Sequence, residues 1–162
     1  MIALRLVRLI EEHSDQLSQE LLNRFRNSPM TRDMAKVPSH ELRERTNEIL
    51  HNLGDWLLHK REAEVEQRYR TLGVRRASQD VSLSDFCWAL VLTKEHIWEF
   101  LEGQGLLRGP LELYGEMELL RLLDQFFDHA ICYAAEGFEQ ARADAVASTV
   151  NSSHRHGQET RA

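Results

Sequence analysis

Eight histidines, two cysteines and a scatter of acidic side chains are the groups in this 162-residue chain from which chemistry could be built. The most suggestive setting is Pro38-Ser39-His40-Glu41-Leu42-Arg43, where an exposed imidazole could accept a phosphoryl group. Glu48 and His51 have the Glu-x-x-His spacing of di-iron helical bundles. His51, Asp55 and His59 follow at four-residue steps, like a metal ladder. His96 and His129 invite a haem-ligand reading.

Each has a plainer reading. A helix start needs a side-chain oxygen to accept one of its orphan N–H groups, and Ser39 is a good candidate for that cap. Glu41 would then favour the positive end of the helix dipole. At about 100° per residue His40 lies about 160° from Leu42, on the solvated face. A histidine-kinase box normally runs into a proline, whereas here Glu44-Arg45-Thr46-Asn47-Glu48-Ile49-Leu50 continues as helix, and no Gly-rich nucleotide site follows. A histidine-phosphotransfer bundle needs no such site, but the small residue usual beside its histidine is absent. An N-capped helix is the favoured reading, with a phosphotransfer protein using His40 as a rival. The di-iron site needs a second Glu-x-x-His, which is missing, and Glu48 and His51 point away from the apolar stripe of their helix. No second haem signature accompanies His96 or His129, so a haem- or metal-binding bundle is the other rival, and no cofactor is expected.

The elements that would position these groups are all helical, with apolar residues at three- and four-residue steps. A first helical region spans about Ile2 to Arg26, with a break possible at Ser14 and Asp15. Asn27 to Ser39 reads as a loop around two prolines. Helices follow over Ser39 to about Lys60 (Leu42, Thr46, Ile49, Leu53 and Leu57 inward) and Arg61 to Arg76 (Val65, Tyr69 and Leu72 inward). Ser82-x-x-Asp85 resembles a capping box and opens a fourth helix, Leu83 to Glu102, which stops at a stretch with three glycines. Pro110 begins a last helix reaching about Ala147. The expectation is an all-α bundle of five or six helices over 1–147, with a long C-terminal helix and a disordered polar tail over 148–162.

Two charges fall on apolar stripes. Lys94 projects with Leu83, Cys87, Leu90, Ile97 and Leu101, and Asp124 with Leu113, Met117, Leu120, Phe127 and Ile131. A lone buried charge is costly, so Lys94 and Asp124 are candidates to pair across the last two helices and line a polar or ligand site in the core. The last helix also carries Leu119, Leu122, Phe126 and Tyr133 beyond that stripe, an apolar arc of about 220°. These four are candidates for a homodimer interface, which a twofold arrangement would satisfy.

The net charge of −6 argues against a nucleic-acid partner. The longest uncharged run in mid-chain, Phe86 to Thr93, is too short to cross a membrane. Arg5 and Arg8 interrupt the N-terminal apolar stretch, which lacks a signal-peptide core. Cys87 and Cys132 have no ligand spacing and read as reduced packing residues in a cytoplasmic protein.

From "RYRTLGVRRASQDVSLSDFCWALVLTKEHIWEFL" through "LELYGEMELLRLLDQFFDHAICYAAEGFEQA" the chain resembles the N-terminal domains of RsbR-type, RsbRD-like co-antagonists of bacterial stress-response systems. "SHELRERTNEILHNLGDWL" is similar to the helix that precedes them. The resemblance spans roughly residues 5 to 142. It implies a sensory or regulatory module of the stressosome kind, without catalysis, with a globin-like helical fold lacking haem, and dimeric. It also implies that the last helix leads to an output partner, a STAS-type domain or a kinase. The polar tail after Ala147 leaves no output domain in the expected layout, so the chain is expected to be a stand-alone member or a fragment.

Overall fold

The computed structural model describes residues 2–59, 61–104 and 110–159. Among these are seven α-helices, a 3-10 segment and no strand: α1 (Ile2–Glu12), α2 (Ser14–Asn27), the 3-10 segment (Pro29–Lys36), α3 (Ser39–His51), α4 (Leu53–Leu58), α5 (Glu62–Ser78), α6 (Leu83–Gly103) and α7 (Pro110–Glu159). The fold is an all-α bundle with a long last helix.

Two expected helices are divided by single polar residues. His13 ends α1, its Nδ1 2.8 Å from the Leu9 carbonyl. Asn52 ends α3, its side-chain amide donating to the Glu48 carbonyl at 2.8 Å beside its own backbone N–H at 3.2 Å. The Gly54 N–H at the start of α4 then donates to Glu11 on α1 at 2.9 Å. The expected loop after α2 is instead wound as 3-10 helix. Ser28 accepts from the Met30 N–H, and Pro29 follows it in the first turn, where a missing N–H costs nothing. Lys60, the rest of the glycine stretch after Gly103 (residues 105–109) and residues 160–162 lie outside the described residues.

The turn between α5 and α6 is well determined by local chemistry. Asp80 adopts φ 56°, the left-handed region that aspartate tolerates better than most residues. Val81 N–H donates to the Arg76 carbonyl and Asp80 N–H to that of Ala77, the two bonds of a Schellman ending. Ser82 then caps α6, accepting from the Asp85 N–H at 3.1 Å. Asp85 accepts from the Ser82 hydroxyl at 2.8 Å, not from the Ser82 backbone N–H that a full capping box would use. Its carboxylate accepts from the Asp33 N–H at 2.7 Å, while Asp33 accepts from the Ser82 N–H at 2.9 Å. This reciprocal pair ties the 3-10 segment to the start of α6, and the Ser82 N–H, with Lys36, holds the Asp33 carboxyl below its ordinary pKa.

Most of the core follows the periodicity. Leu42, Thr46, Ile49, Leu53, Leu57, Val65 and Tyr69 are all buried. Thr46 satisfies its hydroxyl by donating to the Leu42 carbonyl at 2.8 Å. The most extensive contact joins α5 to α7, which run side by side in the same direction, with α6 antiparallel to α7. Their closeness rests on glycine: Gly73 faces the backbone of Ala134 and Phe138, and Gly137 faces the backbone of Arg70.

Candidate functional site

The last helix organises the molecule, and its faces differ from those expected. Leu119, Leu123 and Phe127 are completely buried, and Phe126, Ala130, Ala134 and Phe138 line the same side. Leu113 and Met117, assigned to the core stripe by periodicity, are 49% and 60% exposed, with Tyr114 beside them at 78%. Leu119 and Phe126 are therefore covered by this chain and are not free to face a second copy. Leu122 and Tyr133 pack partly buried against the same core. α7 has an apolar arc wide enough that periodicity does not choose its inner side; α1, α4, α5 and α6 choose it by packing there.

Around Phe126 an aromatic group joins three helices. Trp56 of α4 stacks on it at 5.4 Å between centroids, and Tyr69 of α5 meets it edge-on at 5.8 Å. Beside them is a cleft of about 270 Å³ bordered by Arg61, Glu62, Gln125 and His129. Glu62, in the first turn of α5, accepts from the Tyr133 hydroxyl at 2.6 Å, and His129 Nδ1 lies 2.7 Å from the same oxygen. Tyr133 and His129 hold the Glu62 carboxyl below its ordinary pKa, and the bond to Glu62 pushes the Tyr133 phenol up to about 12. His129 is thus a partner of a carboxylate across the α5–α7 seam.

Lys94 Nζ lies 3.2 Å from Asp124 and 3.6 Å from Asp128. These groups sit at the rim of the α6–α7 contact: the Lys94 side chain is 22% exposed and that of Asp124 48%. Water therefore screens the pair, and its geometry is that of a clamp on the helix edge, outside the core. Replacing Lys94 and Asp124 with methionine, singly and together, should give a coupling below about 1 kcal/mol in urea unfolding.

A second charged cluster has no counterpart in the sequence reading. Glu41 is only 6% exposed and Arg76 only 1%. Arg75 donates to both Glu41 oxygens, at 2.6 and 2.7 Å, and Arg76 Nη1 donates to one of them at 2.7 Å. Gln79 adds a bond from its amide at 3.1 Å. Arg75, Arg76 and Gln79 thus bridge α5 to the first turn of α3, and Glu48 repeats the bridge lower down by pairing with Arg68. Hydrogen bonds from Arg75, opposed by burial and reinforced by Arg76, hold the Glu41 carboxyl at about 2. The signal available in the sequence was the Arg75-Arg76 pair near a helix end, which requires an acidic partner when either is buried.

The remaining candidates lie apart. Pro38, not Ser39, is the cap of α3; its carbonyl accepts from the Leu42 N–H, and the Ser39 hydroxyl accepts from Arg26 at 3.3 Å. His40 is exposed. Glu48 pairs with Arg45 at 3.1 Å, His59 with Asp55 at 3.2 Å and His96 with Glu20 at 3.0 Å. Among the described residues no three His, Cys, Asp or Glu side chains converge as a metal site would require. No helix among them is long and apolar enough to cross a membrane.

Beyond Arg142, whose guanidinium reaches Asp80 at 3.3 Å, α7 leaves the bundle. Residues 142–152 are all exposed, and the helix continues through Glu159 where a disordered tail was expected. Elongation adds one hydrogen bond per residue to a nucleus already formed. Ser148 and Ser152 keep their hydroxyls on the helix, donating to the Asp144 and Ser148 carbonyls at 2.9 Å.

The sequence model of one protein family, described as the RsbT co-antagonist protein rsbRD N-terminal domain, matches residues 14–151. No curated protein and no solved structure matches the chain. The match runs from the start of α2 into the projecting part of α7 and so takes in nearly the whole bundle. The chain belongs to the rsbRD N-terminal domain family of RsbT co-antagonist proteins.

Proposed function

We propose that this domain is a non-enzymatic, cytoplasmic sensory module of a bacterial stress-response system, which dimerises along the projecting part of α7 and passes its signal through that helix to a STAS-type or kinase partner. Membership of a regulatory co-antagonist family supports the regulatory half of the reading. The observation that carries the mechanism is that one helix is both the centre of the core and the element that leaves it.

The 50 residues of α7 would extend about 75 Å, far more than the bundle needs. A single helix projecting into water is marginal without a partner. Ala143, Val146 and Val150 recur at three- and four-residue steps, the spacing of a coiled-coil seam, and Val146 and Val150 are 66% and 51% exposed. A parallel twofold pairing would cover these residues on both copies. Leu119 and Phe126 have no part in it. A ligand or partner that bound one packing of α5 against α7 better than another would shift the pairing downstream, since differential affinity is what moves such an equilibrium.

Sedimentation equilibrium of the whole chain tests the reading. Wild type should be dimeric, and the double variant Val146→Asp with Val150→Asp should be monomeric with a weaker helical signal. A wild-type monomer at every concentration, or a dimer untouched by the two aspartates, would refute it.

A further inference from the structure

Both cysteines are free, and they border the same helix seam. Lys94, reaching Asp124 and Asp128, sets the antiparallel register of α6 on α7. Cys87 lies seven residues before Lys94, two turns back on the same face of α6. Cys132 lies one turn beyond Asp128 on α7. Moving back along α6 matches moving forward along α7, so the two thiols come to about the same level on the open rim that carries the ion pair. Helix axes packed about 8–10 Å apart bring residues on adjoining sides toward the Cα separation of roughly 4.4–6.8 Å that a disulfide spans.

The two sites differ in a useful way. Cys132 is exposed, which corrects its reading as a packing residue, and Cys87 is half-buried. Burial raises the Cys87 thiol above its ordinary pKa, and the nearby Cys132 adds to the rise. Cys132 is accordingly the thiol that meets a dissolved oxidant, and Cys87 the one that waits beside it.

We propose that Cys87 and Cys132 are a redox-responsive pair that closes to a disulfide under hydroperoxide and clamps α6 to α7. The Cys132 thiolate attacks the terminal peroxide oxygen; the S–O bond forms, the O–O bond breaks, and the departing hydroxide or alkoxide takes up the proton that the thiol released, leaving as water or an alcohol. The Cys87 thiolate then attacks that sulfur, the S–S bond forms, the S–O bond breaks, and the departing hydroxide takes up a proton as water. Two electrons pass from the two sulfurs to the peroxide. A thiol reductant reverses the reaction by exchange.

The closure itself rests on the helix register; its regulatory use rests on α7 being the transmission helix. Intact mass spectrometry of the whole chain after hydrogen peroxide treatment tests the closure whatever the oligomeric state. The expected result is a chain lighter by two hydrogens, loss of both titratable thiols together, and recovery of both on reduction. Cys87→Ser should instead leave Cys132 as a sulfenic acid trapped by dimedone. Over-oxidation of wild-type Cys132 while Cys87 stays titratable, or a covalent dimer through Cys132, would overturn the proposal.

Discussion

Replacing Gly137 with alanine is expected to destabilise the domain by about 3 kcal/mol or more, with the same outcome for Gly73. A Cβ on Gly137 would run into the carbonyl of Arg70 and lie 2.8 Å from its Cα, and one on Gly73 would run into the carbonyl of Ala134 and lie 2.9 Å from the Phe138 nitrogen. Real Cβ atoms do not come so near to backbone, and neither neighbour is the end of a side chain that can swing aside. The only relief is to move α5 away from α7. That separation would loosen Tyr69 from Phe126, whose rings are 5.8 Å apart, and the Glu62 bonds to His129 and Tyr133. Neither position calls for a left-handed backbone, so the cost comes from the close approach of two helices. Gly103, where an added Cβ meets nothing, is the control: Gly103→Ala should be nearly neutral. The midpoint of urea unfolding, followed by circular dichroism, separates the three variants. A Gly137→Ala protein as stable as wild type would mean that α5 and α7 are not packed backbone to backbone.

Much of this architecture was readable from residue order, and the failures share a physical cause. The Leu42-to-Leu57 stripe, the Ser82 cap and the helical start at Pro110 are local properties, decided within a turn or two of chain. The inner face of α7 is a property of its neighbours. Leu113, Met117, Leu119 and Phe126 are all apolar, and the places where α1, α4, α5 and α6 land decide which are covered. Gly73 and Gly137 each look like a weak point in a helix, and nothing local says that the two share one crossing. Ser39 has good capping chemistry, but Pro38 already supplies the capping position and the serine hydroxyl turns to Arg26. The Lys94–Asp124 ion pair was suggested by helical phase alone, yet phase does not report that the pair sits on a wet rim. Glu41 is the clearest case. In a first turn a carboxylate is unremarkable, and its burial depends on two arginines more than thirty residues away.

That arrangement makes Glu41→Gln the other substitution with a large expected effect. The variant keeps the shape of the side chain but removes the one carboxylate bonded to Arg76 among the described residues, a guanidinium 1% exposed. A buried cation stripped of its partner costs about 3 kcal/mol or more, because neither water nor another anion replaces what was lost. Arg76 has no easy escape: it lies over the Phe86 ring at 6.0 Å, its Nη1 already donates to the Gln79 amide oxygen at 2.6 Å, and its Nε has no bonding partner among the described residues. The same geometry sets a pH dependence. Glu41 is held at about 2 in the folded chain against an ordinary 4.5, so the folded state favours its ionised form. The contribution is complete above the unfolded value and is lost progressively as pH falls from about 4.5 toward 2. Wild type should therefore lose stability steeply across that interval, while Glu41→Gln, already weakened at neutral pH, should lose less. Urea midpoints for both proteins at pH 7 and at the acid end of the window provide the comparison. Parallel acid slopes would show that other carboxylates dominate acid unfolding, and a variant as stable as wild type at neutral pH would mean that Arg76 finds a second partner. Among the described residues Glu41 is the acceptor that the first turn of α3 offers Arg75, Arg76 and Gln79, so this end of the α5–α3 contact rests on one carboxylate, while Glu48 and Arg68 join the same helices further along.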